Sequence, residues 1–285
     1  MARVSIGLRE DLDPAALESR LRSVRPDVGR VVVLARVGST SSLLASEAVQ
    51  AGDAGSESEA AWPDRSVLVA DHQDAGRGRR GRSWQTPPGA ALPFSVLLRP
   101  PGPSAGWGWL PLLAGLATVR GLADVGGPPA GLKWPNDVLT ASGGVVGKLA
   151  GVLSEVVTTP SGPGVVVGIG VNVDQEREEL PLPTAQSCRT AGFPVARADL
   201  LVAVVARLLE LEDRRRAGDP ALPVEVGGAC RTLGTDVRVD LPGGAALHGR
   251  AVALAPDGGL VVRTAEGERT VLAGDVHHIR PAAEG

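Results

Sequence analysis

The segment Gly76-Arg77-Gly78-Arg79-Arg80-Gly81-Arg82 satisfies GxGxxG, the pattern that opens a dinucleotide-binding parallel sheet. That reading needs a helix directly after the loop and an acidic residue about 20 positions on. Neither is present. Ser83-Trp84-Gln85-Thr86-Pro87-Pro88 cannot open a helix, and no acidic residue follows at that distance. The glycines therefore serve some other purpose, and the dinucleotide-binding reading fails on context.

Outward from the loop, short apolar runs bounded by Gly and Pro read as buried strands: Ser66 to Ala70 before it, Leu92 to Arg99 after it. Further upstream, Asp13-Pro14 opens an amphipathic helix, Val31 to Val37 forms a strand, and Ser39-Thr40-Ser41 caps a helix reaching about Gln50. Gly52 to Asp64 is polar and rich in Gly and Ser, a loop in which variation should cost little. Downstream, Leu110 to Val125 reads as a buried helix, while Leu132 to Trp134, Lys148 to Val157 and Val165 to Val173 read as strands. Thr140 to Gly144 reads as a hairpin turn, and Asp199 to Arg216 is a helix capped by Asp199.

After Pro223 the texture changes to short strands with Gly-Gly and Pro-Asp-Gly-Gly turns: Asp236 to Leu241, Leu247 to Leu254, Leu260 to Arg263 and Glu268 to Leu272. An α+β domain over residues 1–224 followed by a small β-barrel over 225–285 is the expected organisation.

The 285 residues carry a formal net charge of −3, which gives no overall basic surface for nucleic acid or an anionic membrane. No apolar run approaches the ~20 residues of a membrane span, and the first twenty residues do not read as a signal peptide. Cys188 and Cys230 make neither a disulfide framework nor a zinc motif, which fits a reducing cytoplasm. Of 29 basic residues only Lys133 and Lys148 are lysines.

Four arginines in seven residues lie within one Debye length of each other, about 8 Å at physiological salt. They should repel and leave the loop mobile until a phosphate or adenylate neutralises them. A solvated basic surface loop is the plainer reading, but the flanking strands and Trp84 argue against it. Lys133-Trp134-Pro135-Asn136-Asp137 and Gly147-Lys148-Leu149-Ala150-Gly151 hold both lysines. In a composition that otherwise writes Arg for charge, they point to a compact ammonium reaching one phosphate or carboxylate oxygen. Asp137 can hold Mg²⁺ or orient a lysine, and Asn136 can bond a phosphate or ribose, although Pro-Asn-Asp alone reads as a turn. Gly38-Ser39-Thr40 offers hydroxyls at a helix start, and Gly168-Ile169-Gly170-Val171-Asn172 is a strand thinned by glycine, over which a flat ligand could lie.

Taken in order, Ser39-Thr40, Gln73-Asp74-Ala75 with the Arg-Gly loop, Lys133 to Asp137, Gly147 to Gly151 and Gly168 to Asn172 closely resemble the biotin–protein ligase family. The resemblance covers about Val37 to Val173. It implies an α+β catalytic domain akin to class II aminoacyl-tRNA synthetases and lipoate ligases, a mixed sheet flanked by helices, followed by an SH3-like barrel. It also implies ATP and biotin as substrates, Mg²⁺, and a biotin carboxyl carrier protein as partner. Ser39, Thr40 and Gln73 would bond the ureido ring, Gly76 and Arg77 would close over biotin, and Gly151, Leu153, Gly168 and Gly170 would line its pocket. Lys148 would meet the biotin carboxylate and α-phosphate. Arg79, Arg80 and Arg82 would face the phosphates with Lys133, and Trp84, Asn136, Asp137 and Asn172 would complete the nucleotide side, with Asp137 as metal ligand. Lys148, Lys133 and Arg79 would carry catalysis.

Two departures from the family stand out. Gly89 to Phe94 lacks the asparagine that relatives often carry there, and only 38 residues precede Ser39, too few for the winged-helix DNA-binding domain of some relatives. A lipoate or octanoate ligase would have no use for the Arg-Gly loop or for Lys133 to Asp137. A biotin-responsive DNA-binding regulator is disfavoured by the acidic charge, and a non-catalytic binding module would not need so many site cations.

Overall fold

The computed structural model describes residues 9–50, 62–101, 106–142 and 145–278. Seven strands form one sheet in the order β1-β2-β3-β7-β6-β5-β4: β1 Val31–Val37, β2 Ser66–Gln73, β3 Ala91–Leu98, β4 Ala130–Lys133, β5 Asp137–Ser142, β6 Val145–Thr159 and β7 Gly162–Asn172. Only β1 and β2 run parallel, so the sheet is mixed.

Period-two alternation decides what each face does. Val67 and Val69, then Leu92, Phe94, Val96 and Leu98, then Val165, Val167, Ile169 and Val171 turn to one face, under α1 (Pro14–Val24), α3 (Leu110–Asp124) and α4 (Arg197–Arg216). The opposite face carries Leu68, Leu97 and Val166 only at the end packed by Leu44 and Ala48 of α2 (Thr40–Gln50). Beyond them the side chains become small. Ser95 of β3 pairs with Gly168 of β7, which pairs with Leu153 of β6; one row on, Pro93, Gly170 and Gly151 line up. This thinned row is a floor.

A second sheet, β11-β10-β9-β8-β12, is wholly antiparallel: β8 Asp236–Asp240, β9 Ala246–Leu254, β10 Leu260–Thr264, β11 Gly267–Val271 and β12 Asp275–His278. Two of the five tryptophans fasten it to the first. Trp109 donates from its indole to the Pro256 carbonyl at 2.8 Å, and the buried Trp134 donates to the Gly258 carbonyl at 3.0 Å.

Several expectations change. Asp137 begins a strand, β5, where a turn was expected after Trp134, and β12 and α5 (Leu222–Ala229) went unread. The expected boundary at 224/225 falls inside α5. Asp199 does not cap α4: the helix starts at Arg197 with Ala196 at its cap position, and Asp199 pairs with Arg20 at 2.6 Å. Most of the loop expected to tolerate variation, residues 52–61, lies outside the described residues, as do 143 and 144 of the expected hairpin turn, whose first three residues, Thr140 to Ser142, instead end β5. The loop's last residues are not dispensable, because Trp62 is buried against Leu68 and Leu97, and the Asp64 carboxylate accepts the Arg99 amide at 2.7 Å.

Candidate active site

Above the floor lies a cavity of about 830 Å³, lined by strands β2 to β7, the start of α2, the Arg-Gly loop and β12. Ser39, Thr40, Gln73, Arg77, Arg79, Arg82, Trp84, Lys133, Asn136, Asp137, Lys148, Gly151, Leu153, Gly168, Gly170 and Asn172 all reach it. Gly76 and Arg80 do not.

One end is neutral and buried. Gln73 ends β2 and accepts at Oε1 from the Thr40 amide at 2.8 Å and the Thr40 hydroxyl at 3.0 Å. The other end is cationic. The Lys148 ammonium sits 2.7 Å from the Asp137 carboxylate and 5.5 Å from the centre of the Trp84 ring. Burial draws the Lys133 ammonium below its ordinary value, with Asp137 opposing and Lys148 reinforcing that shift. Burial likewise lowers the half-buried Arg79 guanidinium. A desolvated cation held near another is poised to gain from an arriving anion.

Asn136 is locked by β6, since its amide donates to the Val152 carbonyl at 2.8 Å while Val152 N–H returns to the Asn136 carbonyl at 2.8 Å. Its Oδ1 then accepts from Arg79 at 3.1 Å. Asn172 donates to the Gln186 carbonyl at 3.0 Å and accepts from Gln175 at 2.9 Å, so its contacts are to the cavity wall.

Trp84 lies flat against the floor: a Cβ on Gly170 would fall 2.8 Å from its ring, and one on Gly151 3.3 Å. Expected beside the nucleotide, it is placed over the glycines expected to take biotin. Gly76 sits at the neck of the loop, where its carbonyl accepts the Trp84 amide at 2.8 Å and a Cβ would meet the Trp84 carbonyl at 2.3 Å.

The loop is not an uncompensated cluster of cations. Arg77 pairs with Glu155 of β6 at 2.7 Å. Arg80 bonds Asp275 of β12 at 3.2 Å and the Asp240 carbonyl at 3.0 Å, and Arg82 also pairs with Asp275. Arg79 reaches the neighbouring Gly274 carbonyl at 3.4 Å. The expected self-repulsion left out these carboxylates, which lie 73 or more positions away in the chain. Arg80, with φ of 55°, turns to the second sheet, away from the cavity. Asp275, Glu155 and the buried Ser95 were missed, since a lone Asp, Glu or Ser carries no local pattern.

Residues 49–172 match the model of the biotin/lipoate A/B protein ligase family, and 232–278 match that of the biotin protein ligase C-terminal domain. The chain is 39% identical over 280 residues to the biotin–acetyl-CoA-carboxylase ligase of Mycobacterium tuberculosis, covering 96% of this chain and 98% of that one. It belongs to the biotin protein ligase family. A bifunctional ligase/repressor of Bacillus subtilis is 31% identical over 75% of this chain and 66% of its own length. Among solved structures, biotin protein ligase of Aquifex aeolicus in complex with biotin and ATP superposes with a TM-score of 0.71 at 29% identity, covering 88% of this chain and 99% of that one.

Proposed function

We propose that this biotin ligase family member joins biotin to ATP, releasing pyrophosphate, and transfers the biotinyl group from biotinyl-5′-AMP to a lysine of a biotin carboxyl carrier protein. The observation that carries the reading is one cavity with a neutral hydrogen-bonding end, a glycine floor and a cationic end, from which Lys148 reaches over the edge of the floor at Gly151.

In the first step a biotin carboxylate oxygen attacks the α-phosphorus and the bond to the β-phosphate oxygen breaks. Two anions must approach, and cations fixed where charge builds up offset their repulsion. Lys148, once it leaves Asp137, would do this, and Lys133, Arg79 and Arg82 would face the phosphates. Trp84 would leave the floor and cover the ring of biotin, shutting out water that would hydrolyse the mixed anhydride. In the second step the neutral amine of the carrier lysine attacks the anhydride carbonyl, the bond to the phosphate oxygen breaks, and AMP leaves.

Mg²⁺ fits this site only in the pattern of one protein carboxylate plus substrate phosphates. The described residues hold no cluster of three or more potential ligands, and Asp137 lines the cavity with a carboxylate already committed to a cation. Asp137 and the phosphates would hold the ion, which would supply further neutralisation of charge. Among the described residues no helix is long and apolar enough to cross a membrane. Use of ATP and two buried free thiols fit work in the cytoplasm.

Pyrophosphate release that depends on biotin, followed by mass addition to a carrier domain, tests the reading. Equal release with lipoate would redirect it to the lipoate branch of the family.

A further inference from the structure

At the neutral end of the cavity four polar side chains form a single line. Gln73 Oε1 must be the acceptor there, because the Thr40 backbone N–H at 2.8 Å can only donate. Thr40 Oγ1, 3.0 Å from the same oxygen, therefore gives its one proton to Gln73. Ser95 Oγ donates to Thr40 Oγ1 at 2.9 Å, which commits the proton of Ser95. The remaining contact, Ser41 Oγ to Ser95 Oγ at 3.0 Å, is then forced to run from Ser41 to Ser95. All four residues are buried, Ser95 completely.

The direction of the line has a chemical result. With their protons committed, Ser41 and Thr40 show only lone pairs to the cavity, while Gln73 Nε2 keeps its two N–H donors. Such an edge suits a ligand that presents ring N–H groups beside a carbonyl, a cyclic urea. The Ser41 Oγ lies close against Gly168, where an added Cβ would approach it to 2.2 Å, so the glycine leaves room for the hydroxyl at the floor. Ser95 does not line the cavity.

We propose that Ser95 is a positioning residue for the ureido ring, acting through Thr40 and Ser41 by fixing the direction of their hydroxyl protons, and so setting specificity for a cyclic urea. The proposal rests on the function proposed above. Removing the Ser95 hydroxyl takes away the acceptor for Ser41, whose proton then turns into the cavity against the N–H groups of the ligand. It also frees Thr40 from its donor.

The test is steady-state pyrophosphate release at varied biotin and at varied ATP. In Ser95→Ala the KM for biotin should rise about tenfold, the scale of one neutral hydrogen bond, with kcat and the KM for ATP unchanged. On a Thr40→Val background, Ser95→Ala should add much less than it does alone. Ser41→Ala should raise the KM for biotin by a similar factor, non-additively with Ser95→Ala, and supplies the decision if the buried variant does not fold. An unchanged biotin KM in Ser95→Ala, or the same penalty with Thr40 already replaced, would overturn the relay while leaving ligase function standing. Failure of the wild-type protein to bind or turn over biotin would overturn both.

Discussion

The two ends of the cavity are built on opposite principles. The neutral end comes from adjacent strands of one sheet plus the first turn of α2, and its hydrogen bonds are buried and uncharged. The cationic end is assembled from the Arg-Gly loop, three strands of the first sheet and β12 of the second, and its ion pairs of Arg80 and Arg82 with Asp275 are partly exposed. Hydrogen bonds in a dry sheet keep a fixed direction, which suits recognition of a small ring. Exposed ion pairs are weak and exchangeable, which suits cations that must let go of protein carboxylates when phosphates arrive. One end is made to stay and the other to change partners.

Replacing Lys148 should have the largest effect. Lys148→Ala should lower biotin-dependent pyrophosphate release by roughly 100-fold or more with the fold intact, because a charge acting where charge develops is worth about 3 kcal/mol or more. Lys148→Arg should rescue poorly. The ammonium is confined by Asp137, the Trp84 face and the floor, where a Cβ added to Gly151 would lie only 3.1 Å from Nζ, so a planar guanidinium has little room. Near-normal release by either variant would break the contrast, since the cationic end would then be dispensable to chemistry.

Arg79 comes next. Arg79→Gly removes the bond to Asn136 and one cation from the phosphate side. A charge-assisted bond contributes about 1.5 to 3 kcal/mol, so biotinyl-5′-AMP should escape roughly ten- to a hundredfold faster. Streptavidin blots of a mixture with an unrelated protein should then show new labelling. An unchanged off-rate for the adenylate would place Arg79 outside the clamp.

Salt sharpens the comparison without any substitution. Raising ionic strength from 0.15 M toward 1 M shortens the Debye length from about 8 Å to about 3 Å. The KM for ATP should rise several-fold while the dissociation constant for biotin alone, read by calorimetry, rises less, because biotin brings a single carboxylate to Lys148 where ATP brings a triphosphate. Equal sensitivity of both would mean that the neutral end is not insulated from the arginines.

The two ends also differed in how they could be read. Arginine crowding and lysine scarcity exposed the cationic end, because charge composition survives without knowledge of the fold. The neutral end offered only Ser, Thr and Gln, which occur at caps and strand ends everywhere, so its roles followed from the family resemblance alone. Apolar runs bounded by Gly and Pro placed most of the first sheet, yet β5 was hidden between Pro-Asn-Asp, a turn-like start, and the turn expected from Thr140, although the strand pairs on both sides. Ser95 and Asp275 were illegible for the same reason: each acts through partners tens to nearly two hundred positions away, and no window of sequence contains both.

Asp275 gives the smallest and most discriminating effect. It joins Arg80 and Arg82 to the second sheet, with the Asp240 and Gly274 carbonyls as neighbours. The Arg82 side chain is 64% exposed, so the pair is screened and its loss should cost no more than about 1 kcal/mol. Asp275→Asn keeps the shape and removes the charge that offsets the mutual repulsion of the arginines. Hydrogen exchange over residues 77–84 in the ligand-free protein should therefore quicken up to about fivefold, and 1 M salt should shrink the difference between variant and wild type by screening the same repulsion. Exchange over residues 66–73 of β2, which ends in Gln73, should not move. If loop exchange is unaltered, the loop is held by Arg77 with Glu155 and by its bridge from Arg77 to Ser83, not by the second sheet. If β2 quickens as well, the two ends share one cooperative unit, and the division between a fixed end and an exchangeable one fails.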